Sequence, residues 1–339
     1  MPRSASRYDR VILLGIDGVD PCILDMLIGE GVAPNFARLR DSGAGGARGT
    51  VGTLQTVVPP QSPVVWCTLA TGMNPGKHGV FDFIHRDPKR PSPFLSISRT
   101  GGGGILRSPK YVKPRRNPAF WNVLSDYDVP VSALRWPVTF PPEDINGRML
   151  SGLGAPGLRG TLGDYTFYTS DEAGHPDVPG GRLVEVRARD RRIETSIRGP
   201  RVRGVTGTSN VTIPMVIEWT GSGVTVTIAD QSAALATGDW SDWTRVRFPV
   251  GGRKTAAGIV KFHLIEREPA FKLYMTALEP DPLEPPFPLA TPDGYAAELA
   301  GDIGTYHTLG MPEDTKALNE HVLSPEAFLQ QCGEVTEER

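Results

Sequence analysis

The chain has 339 residues and a mass of 36.7 kDa, which exceeds one average domain and predicts about two folding units. Hydrophobic residues make up 39% and charged residues 22%, so the composition excludes a disordered chain. The formal net charge is −2, so no global field recruits duplex nucleic acid or a membrane surface. Apolar runs all stay well below the ~18 residues of a membrane span, and we expect none.

The N-terminal residues and the cysteines both indicate the cellular compartment. Residues 1–10 are polar, lack the pattern of a signal peptide, and are expected to be disordered. Cys22, Cys67 and Cys332 are odd in number and widely spaced, which favours a reduced state. We therefore expect a cytoplasmic protein.

The first predicted elements form a strand, loop and helix. Residues 11–16 are a continuous apolar run, which predicts a strand buried on both faces within a parallel sheet. Asp20 followed by proline predicts the start of a helix over residues 22–29, and a second short helix fits residues 34–40. Asp17 thus follows a central strand, where open α/β sheets bind ligands.

Asp17 has two interpretations. A carboxylate at the mouth of a buried strand is costly unless a cation or another partner compensates its charge, which favours a metal ligand. Alternatively, Asp17 accepts hydrogen bonds from backbone amides in the turn that it forms with Gly18. The sequence leaves both interpretations open.

Ser62 also has two interpretations. Residues 62–71 predict a helix, with Ser62 at the N-cap, proline next and Gly72 just past the end. Capping alone would explain the serine. A hydroxyl at a helix N-terminus also lies among unpaired amides, where a phosphate would bind, but it needs a metal or a base to become a nucleophile.

The later chain predicts a helix at residues 118–125, a strand at 129–134, and then short alternating runs over 183–278. Residues 224–228 are apolar at every second position, so one face should be buried and the other wet. Helical patterns return at residues 292–300 and after Ser324. We expect an α/β core over residues 11–170, a β-rich insert over 171–280, and a return to the core over 281–339 that ends in a truncated helix.

A basic stretch lies between Pro88 and Ser125, where eight basic residues occur without an acid. They are Lys89, Arg90, Arg99, Arg107, Lys110, Lys113, Arg115 and Arg116. A mobile cationic loop beside a phosphate site would raise the local concentration of an anionic substrate. The alternative is a solvated basic loop without a ligand.

Several short motifs follow one another at fixed spacing: Gly15-Ile16-Asp17-Gly18, Ser62-Pro63, Thr71-Gly72, Pro75, and His78-Gly79. Together they resemble the opening of the alkaline phosphatase superfamily. Within it, the chain is similar to the type I phosphodiesterase/nucleotide pyrophosphatase branch and its bacterial phosphohydrolase/phosphomutase proteins. The likeness extends over most of the chain.

The resemblance implies an alkaline phosphatase-like α/β core with a mostly parallel sheet, incomplete here, plus the β-rich insert. It implies hydrolysis of phosphomonoesters or phosphodiesters, or phosphomutase-type transfer, on a phosphorylated small molecule. Two divalent cations, zinc or manganese, would be held in part by Asp17 and Ser62, and Ser62 would attack phosphorus. From the charge of the basic stretch, and not from the resemblance, we expect Lys89, Arg107 and Lys110 to bind the substrate.

The histidines depart from this pattern. Members of the superfamily supply further ligands as an Asp and a His with three residues between them, an adjacent Asp-His pair, and another His. None of the six histidines here follows an aspartate, and the spaced pair Asp171/His175 is expected in a surface loop. We therefore expect most metal ligands to be missing and the isolated chain to be inactive.

Two consequences of the missing ligands are expected. A second chain carrying the C-terminal half would complete the site, and this chain would expose a strand edge or an apolar patch. The rival interpretation is a non-catalytic remnant that binds a phosphorylated ligand or a partner chain. In a third interpretation, the β-rich insert binds a glycan or lipid through exposed Trp240 and Trp243.

Overall fold

The computed structural model describes residues 9–42, 49–86, 93–95, 97, 99–101, 110–171, 178–204 and 207–338. The chain divides into two compact units, Met1–Ser62 and Pro63–Arg339. Residues 1–8 of the predicted disordered tail lie outside the described residues. The predicted boundaries near residues 170 and 280 stay a prediction.

The first unit contains the two helices predicted from its sequence. They are α1 (Pro21–Gly29) and α2 (Pro34–Ser42). Asp20 caps α1, since its Oδ1 accepts hydrogen bonds from the amides of Cys22 at 2.7 Å and Ile23 at 3.3 Å. The start of α1 was predictable because an N-cap acts within three residues of itself.

The predicted buried strand at residues 11–16 is wrong in this structure. The segment belongs to no strand, and Ile12 and Leu14 are each 79% exposed. A strand buried on both faces needs hydrogen-bonded neighbours at both edges and layers above and below it. None of the described strands supplies those neighbours, so the expected exposed apolar patch is present here.

The remaining helices are distributed along the rest of the chain. They are α3 (Ser62–Thr71), α4 (Pro75–His78), α5 (Phe120–Asp126), α6 (Tyr295–Ile303), α7 (Thr315–Asn319) and α8 (Pro325–Glu338). The predictions at residues 62–71, 118–125, 292–300 and after Ser324 are thereby confirmed. At the start of α8, Ser324 Oγ accepts a hydrogen bond from the amide of Ala327 at 3.2 Å.

The described strands lie in the second unit. The first nine are β1 (Ile84–His85), β2 (Phe94–Leu95), β3 (Arg99–Gly101), β4 (Lys110–Val112), β5 (Val131–Trp136), β6 (Gly147–Ser151), β7 (Thr166–Thr169), β8 (Arg182–Glu185) and β9 (Arg192–Gly204). The others are β10 (Gly207–Thr220), β11 (Gly223–Ile228), β12 (Gln231–Ala236), β13 (Thr244–Gly251), β14 (Lys254–Val260), β15 (Phe262–Glu266), β16 (Lys272–Met275), β17 (Glu279–Pro280) and β18 (Ala290–Thr291).

These strands form a mixed α/β architecture with several sheets. The larger sheets have the strand orders β12-β11-β10-β9, β15-β16-β7-β8, β13-β14-β17 and β18-β6-β5. Among the described pairs, only β5–β6 and β7–β8 are parallel. A mostly parallel sheet is therefore not seen in the described residues, where short turns join neighbouring strands into antiparallel hairpins.

The largest hydrophobic core lies in the β-rich part of the second unit. In β11, Val224, Val226 and Ile228 are buried while Thr225 and Thr227 are partly exposed, which confirms the predicted alternation. Residues from β7, β9, β10 and β12 to β16 complete this core, with Phe248 and Leu273 fully buried. The predicted β-rich texture of residues 183–278 is thus confirmed.

Two further expectations concern the membrane and the cysteines. Along the described residues, every helix is too short or too polar to cross a bilayer. No disulfide joins Cys22, Cys67 and Cys332. Burial raises the pKa of the Cys67 thiol to about 12, although the charge of Arg115 opposes the shift, so this thiol stays protonated and unreactive near neutral pH.

Candidate functional site

Asp17 and Ser62 lie in direct contact although 45 positions separate them. Ser62 Oγ donates a hydrogen bond to Asp17 Oδ2 at 2.7 Å. Both residues belong to the first unit, Met1–Ser62. The convergence of the two side chains, on which the sequence interpretation depends, is therefore present.

Local turns place both groups. Gly18 has φ +70°, a left-handed conformation that lets the chain reverse after Asp17 and enter α1. Ser62 is the first residue of α3, and among the described residues no backbone amide donates to its Oγ. Capping therefore does not account for this serine, whose hydroxyl is directed at the carboxylate instead.

The Thr71-Gly72 motif ends α3. Thr71 Oγ1 donates to the carbonyl of Cys67 at 2.7 Å and accepts from the amide of Met73 at 3.2 Å. Gly72 then adopts φ +64°, as is typical of a helix C-terminus. This motif fixes the length of the helix that begins with Ser62.

His78 is a structural residue. The amide of Val80 donates to His78 Nδ1 at 3.2 Å, so the ring hydrogen resides on Nε2, which lies 3.0 Å from Thr68 Oγ1 on α3. The side chain is fully buried. His78 therefore ties α3 to α4 and presents no nitrogen to a metal.

The family model for type I phosphodiesterase / nucleotide pyrophosphatase matches residues 11–199, which is more than half of the 339-residue chain. The chain belongs to this family. The matched range includes Asp17, Ser62, Thr71 and His78. Comparison with curated proteins and with solved structures gave no match.

Family members are generally associated with divalent metals, and Asp17 and Ser62 are the predicted ligands in this chain. Asp17 and Ser62 offer two oxygen donors at the site. No group of three or more His, Cys, Asp or Glu side chains in the described part of the chain is arranged to hold a metal ion. Since zinc in proteins takes about four ligands, the described residues of this phosphodiesterase family member do not fit a complete metal centre.

The predicted substrate-binding residues are not placed by the structure. Lys89 and Arg107 lie outside the described residues, and so does the side chain of Lys110, whose backbone belongs to β4. The family match covers all three positions. Their role stays a prediction.

Two other basic residues of this stretch are held by Glu143. Its carboxylate pairs with Arg115 and with Lys113 at 3.3 Å, and it accepts a hydrogen bond from the side-chain Nδ2 of Asn122 at 2.9 Å. Burial would raise the pKa of Glu143, but Arg115, Asn122 and Lys113 outweigh it and keep the pKa below its ordinary value. Lys113 and Arg115 therefore anchor the stretch rather than form a free cationic loop.

The tryptophan and Asp-His predictions have different outcomes. Trp240 stacks on His263 with ring centroids 4.8 Å apart, and Trp243 packs edge-on against His307 at 4.7 Å. They are packed side chains rather than an exposed aromatic cluster, so the glycan or lipid interpretation has no support. His175 lies outside the described residues, so the predicted surface loop at Asp171/His175 stays a prediction.

The buried histidine of this family member gives a pH prediction. Burial lowers the pKa of His78, and the positive charge of Arg115 lowers it further. The unfolded chain, with a histidine pKa near ~6.5, then binds the proton more readily than the folded chain. The contribution of neutral His78 to the free energy of unfolding should therefore be complete above about pH 6.5. Below that pH, we expect the free energy of unfolding to decrease as the pH falls.

Denaturant unfolding from about pH 8 to about pH 5 measures the slope of the free energy of unfolding against pH. His78→Asn should reduce the loss of stability on acidification, even if the variant is less stable at neutral pH. His321→Asn removes an exposed histidine at φ +56°, which asparagine tolerates, and should keep the original slope. An unchanged slope in His78→Asn would contradict the assignment.

Proposed function

We propose that this chain carries the nucleophile of a phosphoester hydrolase, with Ser62 as the attacking residue. The observation that supports the proposal most is the 2.7 Å hydrogen bond from Ser62 Oγ to Asp17 Oδ2 in a member of the type I phosphodiesterase family. The substrate is a phosphorylated small molecule. Hydrolysis and phosphomutase-type transfer would share the same first step.

In that step, Ser62 Oγ gives up its proton to solvent and forms a bond to phosphorus. The bond from phosphorus to the leaving-group oxygen breaks, and that oxygen takes up a proton from solvent. Water or an acceptor hydroxyl then takes the phosphoryl group from the serine. Asp17 orients the hydroxyl through its hydrogen bond, and the positive end of the ten-residue helix α3 faces the developing negative charge. Lys89, Arg107 and Lys110 attract the anionic substrate.

Asp17 is not sufficient to activate Ser62. A carboxylate is a weak base toward an alcohol, so the hydroxyl needs further activation. Two divalent cations, zinc or manganese, are the activating group in our proposal. Because the described residues offer only Asp17 and Ser62, additional donors must complete each metal site.

The exposed residues 11–16 suggest where a second chain could bind and bring the additional metal ligands close to Asp17. The segment is apolar and unpaired with any described strand, and it leads directly into Asp17. A second chain that supplies parallel strands beside it would bring the carboxyl ends of those strands to Asp17, where α/β sheets bind ligands. We propose that such a chain carries the remaining metal ligands, and that both reside in the cytoplasm.

Metal analysis with an activity assay tests the proposed function. Two oxygen donors bind a divalent ion weakly, so we expect little metal to remain after gel filtration of the purified chain. Hydrolysis of an aryl phosphodiester or monoester should appear only when Mn²⁺ or Zn²⁺ is supplied in excess, and a chelator should abolish it. Two tightly held ions per chain would show that residues outside the described ones complete the site.

The rival function is binding of a phosphorylated ligand without turnover. It is favoured by the incomplete set of metal donors among the described residues. In this case, a phosphoester would bind with Ser62 intact and no hydrolysis would occur at any concentration of supplied metal. That result would remove the hydrolase proposal for the isolated chain.

A further inference from the structure

Arg159 and Arg182 meet at Thr166 in the second unit, and Arg198 lies next to Arg159. Strands β7 and β8 are parallel and pair Thr166 with Arg182 and Tyr168 with Val184. Directly paired residues, and residues two apart on one strand, project from the same face of a sheet. Arg182 therefore stands beside Thr166 on the face that also carries Tyr168.

Arg159 and Arg198 reach the same place from other elements. Arg159 Nη2 donates to Thr166 Oγ1 at 3.1 Å, and its Nε donates to the carbonyl of Arg198 on β9 at 3.0 Å. The side chain of Arg198 donates to Asn210 Oδ1. Hydrogen bonds and strand register thus bring three guanidinium-bearing residues together at the junction of β7, β8 and β9.

The charge of this cluster is not balanced by the described carboxylates. None of the three arginines forms an ion pair with a described acid, and Asp164 is engaged by Lys316 at 3.3 Å. Burial lowers the pKa of Arg159, and although Tyr168 and Asp164 oppose this, Arg182 and Arg198 lower it further. The pKa of Arg182 is lowered by burial and by Arg198, so the guanidinium groups repel one another.

One donor of the cluster has no acceptor among the described residues. It is Arg182 Nη1, which is buried and makes no hydrogen bond to any of them. Buried polar groups in folded proteins are nearly always paired, and an unpaired charged donor is especially costly. A bound anion would both accept from this nitrogen and offset the repulsion among the arginines.

We propose that Arg159, Arg182 and Arg198 bind a tetrahedral oxyanion, the phosphoryl or sulfate group of a ligand. Guanidinium groups suit this chemistry because their planar forks donate paired hydrogen bonds to phosphate oxygens. The site is formed by the β-rich part of the second unit and does not involve Ser62 or Asp17. It would give the protein a second point of contact with phosphorylated or sulfated molecules.

Thermal unfolding in phosphate-free buffer tests the site, with phosphate, sulfate or chloride added at constant ionic strength. Phosphate and sulfate should raise the Tm of the wild-type protein, while chloride should not. Arg182→Met should raise the Tm without anion, because it removes both the repulsion and the unpaired donor, and should lose the phosphate-dependent rise. By calorimetry its affinity for inorganic phosphate should fall about tenfold or more.

Two further variants complete the test. Arg198→Gln changes an exposed side chain, so it should fold and also weaken phosphate binding. Arg253→Gln removes one exposed arginine from the turn between β13 and β14 and should bind phosphate as the wild-type protein does. Equal responses to phosphate in all proteins, or an equal response to chloride, would overturn the proposal. Ser62→Ala should leave the response intact, so this site and the proposed hydrolase activity can fail separately.

Discussion

Ser62→Ala should lower metal-supported phosphoester hydrolysis by about a thousandfold or more, because no other hydroxyl takes the place of the attacking oxygen. The hydroxyl is not fully buried. The carboxylate of Asp17, to which it donates a hydrogen bond, is exposed to solvent and stays hydrated when the hydroxyl is removed. The free energy of unfolding should therefore change by no more than about 0.5 kcal/mol. Steady-state kinetics with supplied Mn²⁺ and denaturant unfolding measure the two quantities.

A matched serine variant separates the role of Ser62 from that of any lost hydroxyl. Ser232 on β12 is exposed, so Ser232→Ala should keep both activity and stability. Asp17→Asn retains the shape of the side chain but removes its charge, and it should also lower the rate while leaving the fold intact. Full activity in Ser62→Ala would remove this residue from the mechanism.

The same substitution at two leucines should destabilise the protein to very different extents. Leu273 on β16 is fully buried in the largest core, whereas Leu14 is 79% exposed. Leu273→Ala should cost about 2–5 kcal/mol because it removes buried methyl groups and leaves a cavity. Leu14→Ala should cost no more than about 0.5 kcal/mol in the isolated chain.

Denaturant unfolding of both variants measures this difference. A loss above about 2 kcal/mol for Leu14→Ala would show that residues 11–16 are buried in solution, contrary to the structure. If a second chain covers the segment, Leu14→Ala should instead weaken that association. The two leucines thus report on the core of this chain and on its uncovered surface.

The sequence predicted the elements whose signals are local. The starts of α1 and α8 were predictable because Asp20 and Ser324 cap helices within three residues of themselves. The alternation of Val224, Val226 and Ile228 predicted β11 because strand burial repeats every second residue. The contact between Asp17 and Ser62 was anticipated from their place in a family motif, not from local pattern.

What the sequence did not predict depends on distant partners. The apolar run at residues 11–16 resembles a buried strand, but burial requires neighbours that no local pattern encodes. Glu143 gathers Arg115, Lys113 and Asn122 from 21 to 30 positions away. The arginine cluster likewise depends on the pairing of Thr166 with Arg182, which only the folded sheet establishes.

The uncovered segment at residues 11–16 also affects how this protein behaves at high concentration. It has no charge and no proline, is rich in β-branched and aliphatic residues, and offers backbone groups to any strand that approaches. Copies that meet before the segment is covered can stack strand on strand and leave solution as aggregates. Charged residues placed within this segment would therefore raise the concentration at which the protein stays in solution.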